Sequence, residues 1–135
     1  MRLAATLGAA VLLFATSASP AEHPEMQALL DSIKGKENRP ASEVFKNVKI
    51  LKDVPAGRFL ETMKNFNRAL GTSCDTCHAE GRFEADEIRQ KRAAREMLAL
   101  VRQINTSLGN MEEVESDATV TCATCHRGQV KPATK

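Results

Sequence analysis

Cys74-Asp75-Thr76-Cys77-His78 sets two thiols three residues apart with an imidazole directly behind the second, and Cys122-Ala123-Thr124-Cys125-His126 repeats the pattern. A Cys-x-x-Cys-His run is the attachment pattern of a c-type haem. The thiols add across the vinyl groups and the imidazole is delivered to one face of the iron. All four cysteines of the chain lie in these two motifs, which leaves none for a disulfide. A zinc site built from the four thiolates is the competing reading. However, 44 residues lie between Cys77 and Cys122, against roughly 15–20 in common zinc patterns, and zinc gives no reason for a histidine after each pair. A thioredoxin-like dithiol needs a surrounding βαβ pattern, which is absent. Two covalently attached c-type haems, held by Cys74 and Cys77 and by Cys122 and Cys125, are therefore expected.

Counting restricts the second axial ligands. Of three histidines, His78 and His126 belong to the motifs and only His23 is spare. Two bis-histidine haems cannot be built within the chain. Met26, Met63, Met97 and Met111 are the methionines beyond the N-terminal apolar stretch. Met63 lies about three helical turns before Cys74 on the segment leading into the first motif, and is the expected first-haem ligand; a lone methionine on an apolar face otherwise fills core. For the second haem, Met97 sits within a long apolar stripe, where a ligand is firmly held. Met111, as far before Cys122 as Met63 is before Cys74, follows a Gly109-Asn110 stop in an acidic loop. Met97 is preferred, with Met111 and an open or His23-ligated iron as the alternatives.

The elements that must hold these groups read as helices. Pro24 starts a short one, with Met26, Leu29, Leu30 and Ile33 on one face and Gly35 at its end. Ser42 to Phe45 suits a single helical turn, and Val48, Ile50 and Leu51 suggest a short extended segment. A second helix starts near Pro55, with Asp53 as cap and Gly71 as stop; Phe59, Met63, Phe66 and Leu70 share a face that must lie against the first porphyrin. The longest helix is expected from about Glu84 to Leu108, striped by Ile88, Ala94, Met97, Leu98, Val101, Ile104 and Leu108. Its arginines and acids read as a solvated, salt-bridged face, from which one or two arginines can pair with haem propionates. Twice the chain runs helix with methionine, turn or loop, then haem motif. The fold class is mostly α: a small helical multihaem c-type cytochrome packed around two haems.

The 135 residues suffice for one domain. Residues 1–21 read as a secretory signal peptide, with Arg2, an uncharged apolar run from Leu3 to Ala15, and a small-residue stretch that suits cleavage after Ala21. The run is short for a membrane span, and residues 22–135 form the expected dihaem domain, exported to the periplasm. Aromatic content is only 4%, with no Trp or Tyr, so bound porphyrin supplies bulk that the chain lacks. The formal net charge of +2 becomes mildly negative once propionates are added, which gives no argument for nucleic acid.

The segments Asn47 to Asp53, Phe59 to Met63, Cys74 to His78, Arg95-Glu96-Met97 with Val101 to Asn105, and Cys122 to Gly128 together resemble the photosynthetic reaction centre cytochrome c subunit family. The resemblance spans about Glu43 to Pro132, in the family's order. It implies a methionine ligand on a helix ahead of its haem motif, which suits Met63, and a second-haem methionine on the helix after the first motif, which suits Met97. Well-known members carry four haems in two pairs, and many are lipid-anchored at an N-terminal cysteine; this chain has one pair of motifs and no such cysteine. It resembles a two-haem half.

The expected function is electron transport rather than catalysis. Iron held between His and Met has no free coordination site, and the thioether favours Fe(II). No nucleophile–base pair or carboxylate dyad stands out, and no small-molecule substrate is evident. Redox proteins are the expected partners, a photosynthetic reaction centre or a respiratory complex, with re-reduction of a photo-oxidised donor as the role the resemblance implies. The competing class is a haem enzyme or gas-binding sensor with one open iron site.

Overall fold

The computed structural model describes residues 24–133; the expected signal segment, its cleavage point and His23 lie outside them. Within that range the chain is mostly helical: α1 (Pro24–Ser32), α2 (Ala41–Val44), α3 (Ala56–Leu70), a 3-10 turn over Cys74–Thr76, α4 (Arg89–Leu108) and α5 (Cys122–His126). No strand forms among the described residues, where the β-type pairing consists of two isolated bridges, Pro40 with Pro55 and Ala79 with Arg82.

Helix α3 is the hub, with α1, α2 and α5 all packing on it. Its apolar residues recur at helical spacing, so one stripe meets α1: Met26, Ile33, Ala56 and Leu60 form the buried cluster, flanked by Leu29, Val44, Phe45, Phe59 and Met63. Phe45 stacks on Phe59 with ring centroids 5.2 Å apart. Gly71 ends α3 in the left-handed conformation (φ +59°), where its N–H returns to the Asn67 carbonyl. That stop turns the chain directly into the first thiol pair.

The start of α3 differs from the sequence expectation. Asp53 caps nothing; Pro55 is the N-cap residue and no side chain bonds the first turn. Main-chain carbonyls do so instead: Ala56 N–H donates to Arg39 O at 2.8 Å and Gly57 N–H to Glu37 O at 2.9 Å. Pro40 and Pro55 form an antiparallel bridge, with Ala41 N–H on Val54 O at 2.8 Å, so the beginnings of α2 and α3 brace each other. A neighbouring loop satisfies the orphan donors, leaving a cap side chain nothing to do.

The segment from Val48 to Leu51 is not a strand. It runs from Asn47, at φ +57°, and is tied to the segment before α4 and to α4 itself: Asn47 donates to Glu84 O, Lys49 pairs with Asp86, and Arg102 donates to Ile50 O at 3.2 Å. Helix α4 likewise begins at Arg89, five residues later than its composition suggests. Ile88 is extended, and the carbonyls just before it are engaged by side chains: Lys91 on Phe83 and Ala85, Arg92 on Asp86 and Glu87. Carbonyls held this way are not available for a regular helical ladder.

Two contacts bring the second motif onto this scaffold. Gly128 N–H donates to Ala69 O at 2.9 Å, placing the turn after α5 against the end of α3. Asn105, on α4, grips the main chain of Val120 from both sides, donating to its carbonyl at 3.0 Å and accepting from its N–H at 2.7 Å.

Candidate haem sites

The first motif winds into one tight turn. Cys77 N–H and His78 N–H both donate to Cys74 O, at 3.1 and 2.9 Å, which gathers the two thiols and the imidazole. Thr72 and Thr76 hydroxyls bond each other across the turn, and Asn67 on α3 approaches the Cys74 sulfur at 3.7 Å. The His78 ring donates from Nδ1 to Phe83 O at 3.0 Å and leans on the Phe83 ring, centroids 5.3 Å apart. With Nδ1–H committed, Nε2 is the nitrogen left to ligate, and a carbonyl behind it fixes tautomer and ring orientation. Burial lowers the pKa of His78; the Phe83 hydrogen bond opposes that, and the charges of Lys91 and Arg95 add to it. The imidazole is thus kept neutral, the form a metal needs.

A cavity of about 470 Å³ opens beside this turn, and Cys74, Cys77 and His78 line it. From α3 come Phe59, Met63, Phe66 and Leu70; from the loop after Asn47, Val48, Ile50 and Leu51; from α4, Ala94 and Leu98. The sequence-expected ligand Met63 and the first motif therefore share one cavity. Its charged lining is mainly cationic: Lys46, Lys49, Lys91 and Arg95, with Glu84. Asp86, just behind, accepts from Arg95 at 2.7 Å and from Lys49. These hydrogen bonds, Arg95's first, hold its carboxyl far below the ordinary carboxylate range. An apolar cavity with two thiols, a free imidazole nitrogen and a thioether on its walls, and cations suited to carboxylates, fits a c-type haem.

The second motif is the short helix α5. Its entry is closed by Thr121 N–H donating to the Thr124 hydroxyl at 3.0 Å, and Arg127 ends it in the left-handed conformation. His126 repeats the arrangement of His78, donating from Nδ1 to Gln129 O at 3.0 Å. Burial raises the pKa of Cys122, as it does that of Cys77, so both remain protonated thiols. The surroundings here are more open. Met97 and Met111 are each 51% exposed, Leu100 47% and Val130 49%.

Helix α4 presents two distinct faces. Lys91, Ala94, Arg95 and Leu98 face the first cavity. Met97, Leu100, Val101, Ile104 and Leu108 form a second apolar stripe about 120° round the helix. Asn105, which holds Val120 just ahead of Cys122, lies two turns along from Met97. All four cysteines are free, and among the described residues no cluster of three or more His, Cys, Asp or Glu side chains is arranged to hold a metal ion. Sequence reasoning missed Phe83, Lys91 and Asn105 as site residues. Phe83 acts through its own carbonyl, and Lys91 and Asn105 act on the main chain of other residues; the Gly81 turn after His78 was the hint that the chain changes direction there.

A family model described as photosynthetic reaction centre cytochrome C subunit matches residues 14–135. Among curated proteins, the photosynthetic reaction center cytochrome c subunit of Thermochromatium tepidum is 37% identical over 94 residues, 68% of this chain and 22% of that protein. Cytochrome c-554 of Chloroflexus aurantiacus is 38% identical over 82 residues, 59% of this chain and 20% of that one. The Roseobacter denitrificans reaction center cytochrome c subunit is 29% identical over 98 residues, 69% and 26% respectively. The chain thus spans about a fifth to a quarter of the length of these relatives. On motif, fold and the extent of the model match together, the chain belongs to the photosynthetic reaction centre cytochrome c subunit family.

Proposed function

We propose that the chain is an exported electron carrier with two c-type haems. Cys74 and Cys77 would hold the first haem, and His78 and Met63 would bind its iron. Cys122 and Cys125 would hold the second, with His126 and Met97. A c-type haem between imidazole and thioether supplies a one-electron couple of relatively high potential, because the thioether favours the reduced iron. The chain's part is to attach, orient and enclose it. The thiol pairs fix each group covalently, Phe83 O and Gln129 O aim the imidazoles, and the apolar walls of α3 and α4 exclude water. Lys46, Lys49 and Arg95 place positive charge where propionates would be met. The observation that carries this reading is the first cavity, in which both thiols, an oriented imidazole and Met63 meet apolar walls.

In this reading residues 1–21 are a signal peptide and residues 22–135 the dihaem domain, located in the periplasm. No helix among the described residues is long and apolar enough to cross a membrane. The partners are redox proteins. The names of the relatives favour a photosynthetic reaction centre, and a respiratory complex is the alternative.

The half-exposure of Met97 and Met111 favours a second reading, in which the second iron keeps an open face and the protein binds a gas or acts on peroxide. Two measurements decide. The mass of the exported protein should equal the chain from residue 22 plus two haems. The reduced protein should give an unchanged spectrum with carbon monoxide at neutral pH; prompt binding would reject the closed-carrier reading.

A further inference from the structure

The Phe83 carbonyl has two donors. His78 Nδ1–H reaches it at 3.0 Å, and the Lys91 ammonium reaches it at 2.7 Å. Lys91 is the least exposed cation of the cavity wall, its side chain 11% accessible. Its ammonium has three N–H bonds and three acceptors around it: Phe83 O, Ala85 O at 2.8 Å and Asp86 Oδ1 at 3.4 Å. It is held in place, with its charge directed at the atom that orients the axial histidine. On the exposed turn after α5, Gln129 O plays that orienting role for His126.

We infer that Lys91 is a positioning residue that raises the potential of the first haem by weakening, through the shared Phe83 carbonyl, the hydrogen bond behind His78. The inference rests on the haem assignment proposed above. Two donors on one oxygen compete for the same electron density, so each bond is weaker than it would be alone. A weaker bond to Nδ1–H leaves the imidazole less anionic and a poorer donor to iron, and such outer partners tune a metal through its ligand. A poorer donor destabilises the oxidised iron more than the reduced one. The same cation also acts across space on the cavity, and the test must separate the two effects.

The experiment compares Lys91→Met with Lys49→Met in the intact two-haem protein. Both remove one positive charge from the cavity wall, but Lys49 bonds Asp86 and not Phe83. Two readouts are taken: the midpoint potential of each haem by spectroelectrochemical titration, and the His78 Nδ1–H proton resonance of the reduced protein by NMR. For Lys91→Met the proton should move downfield as its bond strengthens. The reduced-to-oxidised ratio of the first haem at fixed applied potential should fall about tenfold, the low end of outer-partner effects on metal sites and about 59 mV for one electron. For Lys49→Met the potential falls less and the proton stays put. If Lys91→Met does not accumulate, Lys91→Gln should show both shifts in the same directions. An unmoved His78 proton in a folded, two-haem Lys91 variant overturns the inference while leaving the haem assignment intact. A mass lacking haem at the first motif overturns both.

Discussion

Replacing Gly71 by alanine tests the junction on which both motifs converge. Gly71 sits at φ +59°, and a Cβ there would overlap the Gly128 carbonyl oxygen and stand 2.8 Å from its carbon. Carbon atoms settle at about 3.5–4.0 Å, so Gly128 would have to retreat by about 1 Å. Its N–H is bonded to Ala69 O, so retreat stretches the link between α3 and the turn after α5. The left-handed backbone costs a residue with a side chain about 1–2 kcal/mol, and forced repacking about 1–3 kcal/mol more. Gly35 supplies the control, with φ +77° and nothing within 4 Å of an added Cβ; Gly35→Ala should cost the backbone part alone. Denaturant unfolding of the holoprotein, followed by the Soret band and by far-ultraviolet dichroism, should rank Gly71→Ala about 2 kcal/mol or more below Gly35→Ala. Equal losses in the two variants would show that Gly128 moves aside freely, and the junction would then hold nothing.

Other expectations follow from the same geometry. Met63→Ala and Met97→Ala should each remove about half of the weak far-red band given by thioether-bound ferric haem; an undiminished band in Met97→Ala would pass the second site to Met111 or leave it open. Asp86 has its carboxyl lowered by Arg95 and Lys49, so its contribution is complete above the ordinary carboxylate value and fades as pH falls between about 5 and 2. Thermal melts across that range should show wild type losing more than Asp86→Asn; the difference should be small and shrink with salt, because the group is screened, and parallel losses would refute the assignment. Asn105→Ala strips both partners from the Val120 main chain, at a cost of about 1–3 kcal/mol. The spectrum of the second haem should change while that of the first does not, and equal changes in both would contradict the local role.

What the sequence made legible was whatever is written in side-chain periodicity. Phe59, Met63, Phe66 and Leu70 recur at helical spacing, and the cavity they line is the one their stripe implied. Gly71 ends α3 as a left-handed glycine should. The two Cys-x-x-Cys-His motifs were visible because covalent haem attachment demands fixed neighbours. Features built from main-chain groups were hidden. Nothing in Asp53 reveals that Glu37 and Arg39 carbonyls already satisfy the start of α3. Helical composition from Glu84 onward does not disclose that Lys91 and Arg92 reach back for the carbonyls preceding α4. Val48, Ile50 and Leu51 have the β-branched and apolar character of a strand, yet the cavity wall claims them and they find no partner strand. The division of α4 into two apolar faces was also invisible, since Met97 and Leu98 are adjacent letters in one stripe until the helix separates them.

The meeting of Ala69 with Gly128 has a consequence for how such a protein can diversify. It is made by peptide groups, which replacements of side chains away from the crowded Gly71 and Gly128 leave in place. The interval between the two attachment turns is thus ruled by the chain's own backbone, while the lining at either end remains free to drift. With a haem at each turn, as proposed, successive substitutions at one centre would retune it without altering its distance from the other, so span and driving force would become separately adjustable quantities.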